Sequence, residues 1–187
     1  MNEEAELPAP IVRSFWAWLF RKDSDGDRGF SNLVDLWNGF GIVVSGAAAA
    51  LASAEASSLA LTIALPVAAA LVGISFAWAG RSASLLQDKD YAEFIINHGA
   101  PPEGYVYSFQ LAILTAVAAV FVATLLSAEL YVFTTNSPQI DAALNRFLLF
   151  LTSWVAAREC WGVISFSNKL AIQFYEVRKE RSAQSPE

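Results

Sequence analysis

Four blocks in which apolar residues run almost without interruption dominate the chain: Leu36 to Ala54, Ser58 to Ala79, Val106 to Leu130 and Phe147 to Phe166. Each is close to the roughly 20 residues that a helix needs to cross a bilayer. A helix of a soluble bundle carries a polar stripe opposite its buried face. LTAVAAVFVATLL, Leu114 to Leu126, has none. The pattern predicts an all-α polytopic membrane protein with four transmembrane helices arranged as two helical hairpins. Ser53-Ala54-Glu55 and Ser127-Ala128-Glu129 close the first and third blocks with the same triplet, and GISF and GVISF recur in the second and fourth. These matches suggest a duplicated hairpin.

The polar stretches between the blocks have a pattern of their own. In residues 1–30, Pro10 precedes IVRSFWAWLFRK, which sets Trp16 and Trp18 among Arg13, Arg21 and Lys22. An amphipathic helix of that composition suits the headgroup zone, where aromatic residues concentrate. Arg81 to Glu93 reads as a cytoplasmic extension of the second span, ended by HGAPPEGY. Leu170 to Arg181 reads as a mixed-charge extension of the fourth, and residues 181–187 as a disordered tail. Residues 31–180 then form the transmembrane domain with these extensions.

Charge orients the bundle. Lys and Arg gather before the first span, between the second and third, and after the fourth, whereas the outer connections hold only Arg146. By the positive-inside rule both termini are cytoplasmic. Acidic residues stand where the basic region of a secretion signal belongs. The expected setting is a plasma membrane of the bacterial inner-membrane type. Composition agrees: of 187 residues 55% are hydrophobic and 16% charged, an apolar excess over soluble domains. The net charge of -6 argues against a nucleic-acid partner, which needs clustered basic residues.

A few residues are chemically out of place. Asp23, Asp25 and Asp27 alternate as the first half of an EF-hand loop does, making them a weak metal candidate. The loop then fails, with Arg28 where the turn needs glycine and Val34 where a bidentate carboxylate is required. An acidic turn is the better reading, with Asn32 capping the first span and Asp35 at its third position. Arg158 and Glu159 fall near the middle of the fourth block, at a depth where ionisable groups cost several kcal/mol unless they meet partners or water. Adjacent helical residues diverge by about 100°, so each is expected to find its partner elsewhere. With Gly162, Ser165 and Lys169, Arg158 draws a small and polar stripe that suits either a tight helix contact or an aqueous path.

Glu55 and Glu129 close the first and third spans, where a carboxylate opposes the helix dipole. Rings of them in an oligomer would attract cations to an outer mouth. Gly41 with Ser45, and Gly46 with Ala50, are small-xxx-small pairs that allow close helix packing. Pro66 is expected to bend the second span.

Catalytic patterns are missing. His98 is the single histidine, and Cys160 the single cysteine. No nucleophile elbow, zinc-binding histidine pair or phosphate loop occurs, and no cofactor is implied. The expectation is a non-enzymatic membrane subunit that self-associates within the lipid bilayer and docks a cytoplasmic or membrane protein partner through its cytoplasmic helices. The alternative is a homo-oligomeric ion channel or pore lined by Arg158 and Glu159.

Overall fold

Helices form wherever the apolar blocks run, because a backbone in hydrocarbon must satisfy its own N–H and C=O groups. The computed structural model describes residues 14–20, 35–85, 87–91, 94 and 102–184. They are all-helical, with no strand among them. Helix α1 covers Phe15–Phe20 and α2 Leu36–Leu51. A continuous helical rod then comprises α3 (Ala56–Leu59), a π-helical turn (Ala60–Ala64) and α4 (Leu65–Leu85). Helices α5 (Pro102–Ser127) and α6 (Pro138–Gln184) follow.

Three of these rods, Ala56–Arg81, Val106–Ser127 and Pro138–Lys179, are long and apolar enough to cross a membrane. Helix α2 has 16 residues, about 24 Å, and is shorter than the other three. Helix α6 continues to Gln184, past the Arg181 at which sequence pattern ended it. The extension of α4 stops at Leu85, and Asp88 starts a new turn by accepting from the N–H groups of Asp90 and Tyr91. That break corrects the expectation of one rod from Arg81 to Glu93.

Alanine sets the spacing of the bundle. Ala60, Ala64 and Ala68 face Ala116, Ala119 and Ala123 of α5, and Leu149 and Ala156 of α6 complete the layers. Lipid tails are as apolar as leucine, so such helices associate by packing, and small side chains let the backbones approach. At one end the filling becomes aromatic: Tyr91 and Phe94 cluster with Phe109, Val163 and Leu170, and both meet Phe174 edge-on. Helix α1 docks there on α5, with Trp18 and Leu19 buried against Leu111 and Tyr107. Trp16 and Phe20 point outward.

Two irregularities follow from single residues. The π-helical turn ends just before Pro66, whose missing N–H and bulky ring disrupt the regular ladder at that point. At the other end of the bundle, α5 terminates in a Schellman motif: Leu130 N donates to Leu125 O and Glu129 N to Leu126 O. Glu129 occupies the left-handed position, with φ 60°. Glycine takes that position without the Cβ penalty of about 1–2 kcal/mol. Glu129→Gly is therefore expected to raise stability by about 1 kcal/mol in detergent unfolding. A variant no more stable than the parent would mean that another contact holds the turn.

The two Ser-Ala-Glu triplets do not share a conformation. Glu55 is the extended N-cap of α3, while Glu129 follows the end of α5. The dipole argument for Glu55 is thereby reversed, since a carboxylate at a helix N-terminus is favourable.

Candidate functional site

Helix α2 lies outside the Ala-rich bundle and packs on α6, with only marginal contact elsewhere. Its contact stripe is Asn38, Gly41, Ser45 and Ala49, the side chains one helical face presents at this spacing. Trp154 of α6 lies across that stripe. A Cβ added at Gly41 would overlap the indole ring, so only glycine fits beneath it. Phe40 closes the slot edge-on, 5.8 Å from the Trp154 ring. The Trp154 Nε1 is buried there without a hydrogen-bond acceptor.

Both ends of α2 are held by arginines from α6. Asp35 is the N-cap, and its Oδ1 accepts from Asn38 N at 2.8 Å. Its other oxygen receives the Arg158 guanidinium, which also donates to Glu159. At the far end, Arg146 Nη1 donates to Ala52 O, the carbonyl that closes α2, while its Nε donates to Ala142 O at 3.2 Å. Acid at a helix start and base at its end both complement the macrodipole. About 18 Å of α6 separates Arg146 from Arg158, whereas about 25 Å separates Asp35 from Ala52 along α2. The two side chains therefore reach in opposite directions, one to each end.

Two expectations are corrected by this arrangement, and one finds its partner. The helix begins at Leu36, so Asp35 is the cap itself rather than the third residue after a cap at Asn32. Arg158 and Glu159 do pair with one another despite being neighbours, because the long guanidinium arm curls across the divergence of the two Cβ bonds. The partner that Arg158 needed from elsewhere is Asp35, half-buried like the arginine, while Glu159 is buried.

The remaining singled-out residues separate by face. Ser45 joins Gly41 in the α6 contact. Gly46, Ala50 and Gly39 do not: nothing lies within 4 Å of a Cβ placed at Gly39 or Gly46, and Ala50 is exposed. Ser165 and Lys169 are exposed on α6 below the point where α2 begins, and Gly162 between them and Arg158 also meets no neighbour. Glu55 and Glu129 are exposed. Trp18 is buried and Trp16 exposed. Arg13, Arg21, Lys22, Asp23, Asp25 and Asp27 lie outside the described residues, as does Asn32. Among the described residues no group of three His, Cys, Asp or Glu side chains comes together to hold a metal.

Sequence reasoning missed Asn145 and Trp154, and named Asp35 and Arg146 without their roles as partners across α2 and α6. Asp35 had a signal: an arginine within a long apolar block needs an anion, and Asp35 borders the first apolar block. Asn145 is fully buried in α6, where its amide meets the backbone of the α5–α6 connection. No local pattern announces such a contact. Comparison with family models, curated proteins and solved structures returns no significant match to this chain.

Proposed function

We propose that the chain is a four-span, non-enzymatic subunit of a plasma membrane complex, with both termini cytoplasmic, α2 as its fourth span, and α6 as its docking shaft. The observation that carries this reading is the length and surface of α6. Its 47 residues reach about 70 Å, against about 30 Å of hydrocarbon. Measured inward from Arg146, Ile172 lies about 39 Å away and Tyr175 further still. These two apolar side chains, 60% and 68% exposed, sit three residues apart on a helix that also presents Lys169, Glu176, Arg178 and Lys179. Beyond the lipid, such a pair is the anchor set with which a helix enters an apolar groove.

Self-association is supported by the outward face of α2. Gly39 and Gly46 open there with no neighbour, and small residues at such spacing permit a second helix to approach closely. The short α2 fits a span through its ends, since the Arg158 arm points with Asp35 toward the inner side and a hydrophobic mismatch of a few ångströms costs little. This reading is favoured over a pore because Arg158 is engaged with both Asp35 and Glu159 inside one subunit.

Counting photobleaching steps of labelled protein in lipid bilayers tests self-association. More than one copy per spot is expected, with Gly46→Leu reducing the count to one. A single copy in the parent at every protein-to-lipid ratio would remove the proposal. Liposome flux provides the contrast with a pore: no ion flux is expected, and a flux whose selectivity changes with Glu159→Gln would replace the subunit reading.

A further inference from the structure

The connection between α5 and α6 combines two properties seldom found together in a water-exposed loop. Leu130, Tyr131, Val132 and Phe133 are 60%, 46%, 49% and 37% exposed, a run of four large apolar side chains. Yet most of its backbone N–H groups are tied down. Asn145 Oδ1 accepts from Val132 N at 3.0 Å and Phe133 N at 3.2 Å. The Asn145 Nδ2 donates to Phe133 O at 2.9 Å and to Asp141 O at 2.8 Å. Thr135 N donates to Asp141 Oδ1 at 2.6 Å, and Ser137 N to Thr135 Oγ1 at 3.2 Å. The Schellman bonds of Glu129 and Leu130 precede these.

In water, loop N–H groups need no such provision, because solvent bonds them. In contact with hydrocarbon each unsatisfied group costs several kcal/mol, so a segment there must carry its acceptors with it. Exposed apolar side chains on a backbone whose N–H groups are mostly satisfied from within suit the membrane boundary, where water still reaches the carbonyls.

Depth points the same way. Asn145 lies two turns inside α6, so Val132 and Phe133 fold back beside that helix instead of standing above it. Its neighbour Arg146 holds the last carbonyl of α2, and the cluster of Ala60, Leu126 and Leu149 lies one turn deeper. The loop is therefore level with the ends of the apolar rods and continuous with their lipid-facing surface. Its far part turns polar at Thr134, Thr135 and Asn136. Tyrosine and phenylalanine at that level fit the interfacial belt.

We infer that Leu130 to Phe133 form an interfacial anchor that inserts into the outer-leaflet boundary between lipid headgroups and acyl chains, with Asn145 as the residue that makes this insertion affordable. The anchor fixes the depth and rotation of α6 relative to the membrane surface. It is independent of self-association and of any cytoplasmic partner.

The test uses the full chain in phosphatidylcholine and phosphatidylglycerol liposomes, with Cys160→Ala removing the native thiol. A bimane label is placed at Tyr131→Cys, at Asn136→Cys as the water-facing reference, and at Val117→Cys as the mid-span reference. Quenching by headgroup-nitroxide lipid is expected to be several-fold stronger at Tyr131→Cys than at Asn136→Cys, with iodide quenching reversed. Adding Asn145→Leu is expected to return the Tyr131→Cys label to iodide. If the Tyr131→Cys chain fails to fold or reconstitute, Val132→Cys reads the same surface. Iodide quenching of the label equal to that at Asn136→Cys, without lipid quenching, would overturn the inference. So would shielding from both quenchers, which would assign the loop to a protein contact.

Discussion

Arg158→Leu is expected to loosen α2 from the bundle and to lower stability by about 2–3 kcal/mol, since removing the arginine of a partly buried ion network leaves two carboxylates without their counter-charge. Glu159 is buried and Asp35 half-buried, so neither carboxylate regains full hydration when the guanidinium goes. Asp35→Asn separates the two duties of Asp35. Asparagine caps a helix as well as aspartate does, so the cap persists while the charge is lost. Each single variant should be destabilised, and the double variant should lose clearly less than the sum, with a coupling of about 1 kcal/mol or more. Equilibrium unfolding in lipid-detergent mixtures reads all four forms. Strict additivity would mean that Asp35 and Arg158 act separately and that the ion pair does not hold α2.

A comparable loss is expected from Gly41→Leu, by a different cause. Trp154 fills the space over Gly41, and overpacking a closed contact costs about 1–3 kcal/mol, with the upper end expected where even a Cβ overlaps the ring. Shrinking the obstacle should restore part of the loss, so Gly41→Leu with Trp154→Ala is predicted to be more stable than Gly41→Leu alone. Gly46→Leu, on the open face of the same helix, should leave the stability of the single chain unchanged. Equal destabilisation by Gly41→Leu and Gly46→Leu would show that general helix effects, rather than the Trp154 slot, limit substitution.

Much of the architecture was legible because hydrocarbon leaves a backbone few options. Each of the four apolar blocks is helical, with α5 starting four residues before the apolar run and ending three before its close. The small face of α2 was legible as a packing surface. Its partner was not, since Gly41 and Ser45 say how close a helix comes but not which one. Trp154 belongs to α6, and the two meet across more than a hundred residues of chain. Gly46 and Ala50 show the limit of the motif, for the same spacing that packs Gly41 leaves them uncovered. Arg158 was recognised as needing a partner elsewhere, and the mistake lay in treating Glu159 by its Cβ direction and Asp35 as a helical residue. The connection at Glu129 was hidden for another reason: glutamate in a left-handed cap follows no composition rule, and the Asn145 staple acts over a dozen residues.

Side-specific labelling of cysteines introduced into Cys160→Ala measures the topology on which the account depends. Ser14→Cys, Glu55→Cys, Asn136→Cys and Lys179→Cys are placed before the first span, in the two outer connections and after the last span, in intact cells treated with a membrane-impermeant maleimide. Glu55→Cys and Asn136→Cys are predicted to react at once, and Ser14→Cys and Lys179→Cys only after permeabilisation. Reaction of Ser14→Cys and Glu55→Cys from the same side would contradict the account, because α2 would then lie along the membrane, clipped to α6 without crossing.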